Sequence, residues 1–496
     1  METIYLIQKK VMMHRLCIVS LLLFGFRTMN AQVENLSKSE LLDAGLPVVE
    51  ITTVDGELPT CDIVSGKPYG IDVNSIANAN KVPGRLTIST KNDVVYESGD
   101  YKDGESGMTF KIRGNSSGLS VKKPYKIKLQ KKADLLCRNN KKNENKDWLL
   151  ICDKNYNGKI GLKVNELMGL QWTPAFEYVN VIVNGKYQGL YMLLESVERD
   201  KDSRINVSKS GYIFEYDMYW WKEDLYVKID TYLPWKMYYT FKYPEAEDMT
   251  EDQLAYFTEM IKTVEASITD GTYPHYIDLN SFTSWILAHD ILGTADGSGS
   301  NIFMTKYDDT DNSKVMMGNM WDFDSIFQII KDWSAVHTMF YFKYFFSSNP
   351  NSAFQRAYRK QWEKVSPTIF DDIISFLDEF GKSEEAAALD ISAEWDNQLW
   401  KWSIKNNTTT NLVTIFKNYF NERKSWLTWA IRQFPSCTKG DVNLDGVVNN
   451  DDITALKAYI MGEESDDVYG YDIDGNKTVN VADIVELIKI IPKTAK

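Results

Sequence analysis

The sequence predicts an α+β protein in which strands come first and helices later, followed by a small all-α module. Short alternating apolar runs, broken by Gly, Pro, Asn and Asp, begin at residue 46 and recur as far as residue 217. This is the pattern of half-buried strands. From about residue 251 apolar residues recur at three- and four-residue spacing, which is typical of helices. Near the C-terminus two similar acidic loops each lead into an apolar-periodic stretch, which indicates a separate module.

The composition is that of a folded protein with a net negative charge. The 496 residues include 14 Trp, 28 Tyr and 22 Phe, and the formal net charge is −13. This length has room for more than one domain, and the aromatic content argues against disorder. The negative charge argues against a protein that binds nucleic acid through its phosphates. With four His and no CxxC pair, a zinc site is not expected.

The N-terminus has the pattern of an export signal. Basic residues precede an apolar run at 16–26, which has the length of a signal-peptide core and is too short to span a bilayer. We expect cleavage after Ala31, leaving an exported chain without a transmembrane segment. Of the four cysteines that remain, Cys137 and Cys152 flank a short polar loop and are the more plausible disulfide pair.

Turn residues and hydrophobic period predict the elements of the main body. The dipeptide Asn184-Gly185 between two alternating runs predicts a β-hairpin over 178–194. The same reasoning predicts strands at 48–54, 85–90, 122–129, 148–151 and 211–217, and helices at 155–170, 253–267, 279–292, 353–365, 369–380, 383–402 and 412–434.

Two acidic clusters lie between residues 293 and 327. Asn301 follows Asp296 by five positions, and Asp322-Phe323-Asp324 closes the stretch. Mg²⁺ prefers oxygen ligands and takes only one or two from protein, with phosphate and water supplying the others. Protein kinases use an Asp, an Asn at the same offset and the Asp of Asp-Phe-Gly in this way. Here Asp324 replaces the Gly and no His-Arg precedes Asp296, so the spacing alone favours two acidic surface loops over a metal site.

A strand with alternating lysines follows a loop of small polar residues at 113–118. Period-two alternation places Lys126 and Lys128 on one face of the strand. They are either the solvated side of a sheet or contacts to nucleotide phosphates. In the second case, the small residues of the loop would let backbone N–H groups approach phosphate.

These motifs, in this order, resemble the CotH family of spore-coat-protein-H-like proteins over about residues 46–434. The resemblance rests on RGNSS at 113–117, KPYKIKL at 123–129, the hairpin ending at Glu195 and the two acidic clusters. It implies a protein-kinase-like fold that binds ATP and Mg²⁺ and phosphorylates Ser or Thr of partner proteins. Residue by residue it implies Asp296 as catalytic Asp, Asn301 and Asp322 as metal ligands with Asp324 as a further acid, Lys126 or Lys128 at the phosphates with Glu195 as a candidate partner of the lysine, and Arg113, Ser116 and Ser117 over the nucleotide.

The C-terminal module carries a calcium-loop pattern twice. Oxygen ligands at loop positions 1, 3, 5, 7, 9 and 12 wrap one cation, with position 7 using its backbone carbonyl. The first loop supplies Asp441, Asn443, Asp445, Val447, Asn449 and Asp452, and the second supplies Asp472, Asp474, Asn476, Thr478, Asn480 and Asp483. Each loop leads into a predicted helix, at 453–461 and 484–491, and neither has a helix before it.

Two loops of this kind resemble a type I dockerin domain over residues 441–492, after a linker at 435–440. The resemblance implies two bound Ca²⁺ ions and a cohesin domain of another exported protein as partner. Loop positions 10 and 11 help to choose the cohesin, and here they are Asn450 and Asp451 in one copy and Val481 and Ala482 in the other.

The sequence therefore predicts a signal peptide at 1–31, a β-rich part at 32–109, a kinase-like domain at 110–434 and the dockerin. We expect an exported bacterial protein kinase, secreted or at the cell surface, that is tethered to a cohesin-bearing assembly. The first alternative is a catalytically inactive adaptor in a cellulosome-like, polysaccharide-processing assembly. The second alternative is a carbohydrate-binding or carbohydrate-degrading protein, in which the aromatic residues at 219–221 and 340–345 would stack on sugars.

Overall fold

The computed structural model describes residues 32–296, 300–347, 352–401, 408–432, 439–442, 447–462, 473–474, 476 and 478–491. The predicted signal peptide at 1–31 lies outside these residues. The described residues fall into two compact units, which are treated separately below. Within them no helix combines the length and the apolar character needed to cross a bilayer.

The first unit contains the described residues of Met1–Asn155, Pro174–Ser196 and Leu377–Ile415. Its main sheet has the strand order β1-β9-β10-β8-β7-β6-β4-β5, and β1 also pairs with β4, so seven strands close into a ring. The pair β2–β3 forms a separate hairpin. The strands are β1 Val48–Thr53, β2 Asp62–Gly66, β3 Val73–Ala77, β4 Val82–Ser89, β5 Val94–Glu97, β6 Met108–Ile112, β7 Tyr125–Ala133, β8 Asn145–Ile151, β9 Phe176–Val183 and β10 Lys186–Glu195.

Side chains along each strand alternate between the two faces of the sheet. Because the sheet closes into a ring, the inward-facing side chains of its strands pack into one common core. Phe110, Ile127, Trp148 and Leu193 are among the buried side chains of this core. Helices α1 (Lys38–Asp43) and α8 (Glu384–Trp400) belong to the same unit. Helix α8 packs on β10, where the buried Lys122 ammonium lies 2.6 Å from the Asp396 carboxylate.

The second unit contains the described residues of Tyr156–Thr173, Val197–Phe376 and Phe416–Lys496. Its antiparallel sheet has the order β12-β13-β11-β14-β15. The strands are β11 Tyr212–Tyr216, β12 Tyr226–Ile229, β13 Met237–Tyr243, β14 Ile302–Lys306 and β15 Val315–Met317. The helices are α2 Asn157–Leu167, α3 Glu251–Asp270, α4 Leu279–Leu292, α5 Phe342–Ser347 and α6 Ala353–Val365, while α7 Ile369–Phe380 and α9 Thr409–Arg432 contribute residues to both units.

The C-terminal module belongs to the second unit and has a small core of its own. Helices α10 (Asn450–Ile460) and α11 (Val481–Ile490) pack on each other. Val442, Leu456, Ile473 and Leu487 are buried between the two repeats. Because Val442 and Ile473 each directly follow loop position 1, the core itself repeats in the way that the acidic pattern predicts.

The α+β order predicted from hydrophobic period is confirmed. The hairpin forms β9 and β10 around Asn184-Gly185, with Asn184 at φ 48° and Gly185 at φ 74°, as this turn type requires. Each predicted helix of the main body is present, with ends shifted by a few residues at most.

The predicted disulfide between Cys137 and Cys152 is wrong, because neither cysteine forms a disulfide in the structure. Cys137 follows the C-terminal end of β7 and Cys152 follows that of β8, and these strands are antiparallel. The two cysteines therefore lie at opposite ends of the ladder, roughly 20 Å apart at about 3.3 Å per residue. A disulfide requires Cα atoms within about 7 Å of each other.

Candidate functional site

Backbone hydrogen bonds join the loop that carries Asp296 to the Asp-Phe-Asp turn. The Ala295 N–H donates to the carbonyl oxygen of Ser325 at 3.0 Å, and the Asp296 N–H donates to the Ser325 hydroxyl at 3.1 Å. The Phe327 N–H donates to the Leu292 carbonyl at 2.7 Å. The two acidic clusters thus lie side by side although about thirty residues separate them in sequence.

Asn301 and Asp322 are in direct contact. The Asn301 side-chain Nδ2 donates to Asp322 Oδ2 at 3.2 Å, and the Asp324 N–H donates to Asp322 Oδ1 at 3.3 Å. Both Asn301 (φ 66°) and Asp322 (φ 61°) have left-handed backbone conformations, which few residues other than Gly, Asn and Asp tolerate. Asp296, Asp322 and Asp324 are all exposed.

The aromatic residue of the turn anchors it to helix α2. Asn157 Nδ2 donates to the Phe323 carbonyl at 3.0 Å, and the Phe323 ring is buried. The ring lies so close to Gly161 that a Cβ atom at this position would overlap it. Phe323 therefore fixes the carboxylates on either side of it to a rigid helix.

A buried ion network holds the end of helix α4, from which the Asp296 loop leaves. The Asp290 carboxylate accepts hydrogen bonds from His337 Nε2 at 2.8 Å and from the Tyr358 hydroxyl at 2.6 Å. Arg423 lies close enough to donate to the Asp290 carbonyl. Burial opposes ionisation of Asp290, but His337 and Arg423 together lower its pKa. Sequence reasoning missed this network, because its members are spread from 290 to 423 with no local pattern.

A second ion pair, also missed from the sequence, lies behind Asn301 and joins the buried Glu215 to the half-buried Lys242. Glu215 Oε1 accepts from the Asn301 N–H at 2.8 Å, and Glu215 Oε2 lies 3.0 Å from the Lys242 ammonium. Asp217, the residue directly after β11, accepts from the Tyr219 N–H at 2.8 Å. Burial and the neighbouring Glu215 carboxylate raise the pKa of Asp217 to about 7. The acids at alternating positions of β11 were visible in the sequence, but not their connection to Asn301.

In the first unit, the strand lysines lie on the face of β7 that points away from the core. Lys126 pairs with Asp147 on β8 at 2.6 Å, while Lys128 is exposed beside a cavity of about 490 Å³ that Lys81 and Lys146 also line. Lys111 on β6 lies directly opposite Lys126. Burial, followed by repulsion from Lys126 and Lys81, lowers the pKa of Lys111. This cluster of like charges favours binding of an anion.

The other residues assigned to the nucleotide lie in different settings. Ser116 and Ser117 are exposed in a short 3-10 turn. The backbone N–H of Arg113 donates a hydrogen bond to the Pro124 carbonyl at 3.0 Å. Glu195 is buried and pairs with Arg138 at 2.8 Å, away from the strand lysines Lys126 and Lys128. The register explains this difference, because Glu195 lies opposite Trp148, which lies opposite Ile127. Glu195 is thus on the opposite face of the sheet from Lys126.

The described residues of the two calcium loops repeat each other closely. Asp452 accepts hydrogen bonds from the backbone of Val442 at 2.6 Å and of Asn449 at 2.7 Å. Its counterpart Asp483 accepts equivalent bonds from Ile473 at 2.7 Å and Asn480 at 2.8 Å. Burial opposes ionisation of Asp483, but these backbone N–H groups lower its pKa. The predicted ligands Asn443, Asp445 and Asp472 lie outside the described residues.

The remaining described ligand positions supply only oxygen donors from carboxylates, amides and backbone carbonyls, which are what Ca²⁺ prefers. They are Asp441, Val447, Asn449, Asp452, Asp474, Asn476, Thr478, Asn480 and Asp483. The residue set therefore fits calcium. Loop positions 10 and 11 are exposed in both copies, at the first turns of α10 and α11: Asn450, Asp451, Val481 and Ala482.

Most of the aromatic residues considered for sugar stacking are in the protein core. Between 340 and 345, Phe340, Tyr341, Phe342 and Phe345 are buried. Trp220 is covered by Tyr238, with ring centroids 3.9 Å apart and the planes parallel within 4°. The interpretation of 340–345 as a sugar platform is therefore wrong.

Among the described residues, no group of three or more His, Cys, Asp or Glu side chains is arranged to hold a metal ion. Comparison with known families gives two matches. The CotH kinase protein family matches residues 110–427, and the type I dockerin domain matches residues 439–492. No curated protein matches the chain.

Proposed function

Because this chain belongs to the CotH kinase protein family and carries a type I dockerin domain, we propose that it is an exported protein kinase. It transfers the γ-phosphoryl group of ATP to Ser or Thr of a partner protein in a protein-kinase-like fold. Its dockerin binds Ca²⁺ and attaches it to a cohesin-bearing assembly outside the cell.

The contact between Asn301 and Asp322 is the observation that supports this proposal most directly. The side chains of the two residues assigned to Mg²⁺ are hydrogen-bonded, with Asn301 Nδ2 3.2 Å from Asp322 Oδ2. The loop with Asp296 is hydrogen-bonded to the same turn. An amide and one or two carboxylates are what a Mg²⁺ ion needs when ATP phosphates and water complete its shell. When bound, Mg²⁺ would neutralise charge on the phosphates. In this scheme Asp296 accepts the proton of the substrate hydroxyl, while Asn301, Asp322 and Asp324 hold the metal.

Of the two strand lysines, we assign Lys126 to the phosphates. It is paired with the Asp147 carboxylate at 2.6 Å, so its ammonium group is held in place before ligand binds. Lys128 is exposed, and an exposed lysine retains its side-chain freedom and pays more entropy on binding. Arg113, Ser116 and Ser117 remain assigned to the nucleotide through the family.

The test is calorimetric titration of the chain at residues 32–496 with ATP and Mg²⁺. We expect saturable binding that requires Mg²⁺, is lost in Asp322→Ala and persists in Asp311→Ala, which removes an exposed acid of the same unit. Lys126→Met should weaken binding more than Lys128→Met. Absence of binding at millimolar ATP in the unaltered chain would reject the kinase assignment.

The alternative is a catalytically inactive adaptor that the dockerin carries into a polysaccharide-processing assembly. Two departures from the kinase pattern favour this alternative: no His-Arg precedes Asp296, and Asp324 replaces the Gly of Asp-Phe-Gly. The two proposals share the dockerin, so calcium-dependent capture on immobilised cohesin is expected for both. They differ only in nucleotide binding and phosphoryl transfer.

A further inference from the structure

Glu215 joins the central strand of the second-unit sheet to the backbone of Asn301. It lies on β11 between β13 and β14, opposite Thr240 on one side and Phe303 on the other. Its carboxylate is buried, and Oε1 accepts the Asn301 N–H at 2.8 Å. A residue in the middle of a sheet is held more rigidly than one in a loop, so this bond ties the loop to the most rigid part of the unit.

The bond acts on a residue with an unfavourable backbone conformation. Asn301 has φ 66°, and the left-handed region costs a non-glycine residue on the order of 1 kcal/mol. In this conformation the Asn301 side chain reaches Asp322. The hydrogen bond to Glu215 therefore stabilises the backbone conformation that brings the amide and the carboxylate together.

Lys242 makes burial of this carboxylate possible. Its ammonium group lies 3.0 Å from Glu215 Oε2, so each carboxylate oxygen has a partner. Burial opposes the charge of Lys242, but the carboxylates of Glu215 and of nearby Asp217 together raise its pKa. Lys242 thus has a second acid beside it, and removing the Glu215 charge alone does not leave the ammonium without a counter-charge.

We propose that Glu215 is a positioning residue for the metal site: its hydrogen bond to the Asn301 N–H sets the geometry with which Asn301 binds Mg²⁺. This inference rests on the proposed kinase function. Nothing in it requires Glu215 to touch metal or nucleotide. Residues that orient a metal ligand through a hydrogen bond typically change metal affinity 10- to 100-fold when they are lost.

Two conservative variants separate a role of the hydrogen bond from a role of the charge. Glu215→Gln keeps the length and an acceptor oxygen for the Asn301 N–H but loses the charge. Glu215→Asp keeps the charge but is one methylene too short to reach the N–H. If Glu215 acts by positioning Asn301, Glu215→Gln should bind Mg²⁺ and ATP like the unaltered chain, and Glu215→Asp should bind more weakly.

The experiment measures the Mg²⁺ concentration for half-maximal ATP binding and, separately, amide hydrogen exchange of the segment 300–306. We expect Glu215→Asp to raise that Mg²⁺ concentration about tenfold and to speed exchange in this segment. For Glu215→Gln, the Mg²⁺ concentration for half-maximal ATP binding should stay within about threefold of that of the unaltered chain, and exchange in the segment should stay slow. Glu247→Gln, an exposed acid of the same unit, is the matched control and should change neither quantity.

The outcomes distinguish this inference from the proposed function. If the unaltered chain shows no Mg²⁺-dependent ATP binding, the kinase proposal fails, while hydrogen exchange still reports whether Glu215 holds Asn301. If ATP binds and Glu215→Asp matches the unaltered chain while Glu215→Gln is impaired, the charge matters and the positioning role is overturned. If both variants bind Mg²⁺ normally, Glu215 has no role at the metal site.

Discussion

The Phe323 ring fills the space beside Gly161, so helix α2 comes close to the Asp-Phe-Asp turn only because position 161 has no side chain. The Gly161 backbone lies within an ordinary α-helix. An alanine would therefore be tolerated by the backbone, and would even favour the helix by about 1 kcal/mol. The requirement for glycine at this position is steric.

We predict that Gly161→Ala displaces Phe323 and disturbs Asp322 and Asp324 on either side of it. Overpacking of this kind typically costs about 1–3 kcal/mol, which exceeds the gain in helix propensity. Thermal unfolding and Mg²⁺-dependent ATP binding would both be measured. Glu166→Ala, an exposed position on the same helix, is the control. A Gly161→Ala chain with unchanged stability and unchanged binding would contradict the prediction.

Local patterns were sufficient to predict the fold class and the separate motifs. The Asn-Gly hairpin, the helical period of α4 and the repeated calcium loop are each specified by residues close together in sequence. The positions of Asp296, Asn301 and Asp322 in one region also follow from the motif order. None of these predictions required knowledge of which strands pair with each other.

The features that sequence reasoning missed all depend on long-range pairing. Glu195 was a candidate partner of a strand lysine, but the register from β10 through β8 to β7 puts it on the opposite face. Likewise, Glu215 supports Asn301 through a backbone N–H, and a backbone group leaves no signal in the residue types. The Cys137–Cys152 pairing failed for the same reason, since the strand ladder keeps the two residues apart.

The buried network around Asp290 should be among the most sensitive sites of the second unit. Asp290→Asn removes the charge that His337 and Arg423 face. Breaking a buried ion pair by removing one partner costs about 3–5 kcal/mol. We expect a lower midpoint of urea unfolding at neutral pH, and weaker ATP binding because the Asp296 loop leaves from this helix end.

The pH dependence of this effect has a defined sign. The folded-state pKa of Asp290 is lowered from an ordinary value of 3.8, so its contribution to stability is present above about pH 4 and is lost as pH falls through the lowered pKa. The difference between Asp290→Asn and the unaltered chain should therefore shrink as pH falls below about 4, where the carboxylate becomes protonated. Asp372→Asn, an exposed acid on α7, should change the unfolding midpoint little.

Glu265 has the opposite linkage to pH. It is fully buried on α3, where burial raises its pKa to about 7 although the hydroxyls of Tyr239 and Tyr341 donate to it and oppose the shift. The folded state therefore keeps a proton that the unfolded chain releases near pH 4.5. Stability from this group is complete below about pH 4.5 and falls as pH rises to about 7.

We predict that Glu265→Gln, which cannot ionise, melts at a higher temperature than the unaltered chain at pH 8 and shows little advantage at pH 5. The upper bound of the gain is roughly 3 kcal/mol, from about 1.36 kcal/mol per pKa unit. Thermal melts at the two pH values test this, with the exposed Glu259→Gln on the same helix as control. An equal advantage at both pH values would show that ionisation of Glu265 is not the cause.

Arg356 on α6 reaches the first calcium loop. Its Nη1 lies 3.0 Å from Oδ2 of Asp441, the residue at loop position 1, and both side chains are buried. A guanidinium group and Ca²⁺ compete for the same carboxylate, because each is attracted by its negative charge. Asp472, which begins the second loop, lies outside the described residues. The prediction therefore compares the calcium affinities of the two loops and not their structures.

We therefore expect Arg356 to weaken calcium binding at the first loop. Calorimetric titration of the full chain with calcium measures this affinity. We expect Arg356→Met to tighten calcium binding at one site on the order of tenfold and to leave the other site unchanged. Lys364→Met makes the same charge change at an exposed position of the same helix and should have little effect. Equal tightening by both variants would indicate a general field effect. Weaker binding in Arg356→Met would mean that the arginine holds Asp441 in place for calcium instead of competing with it.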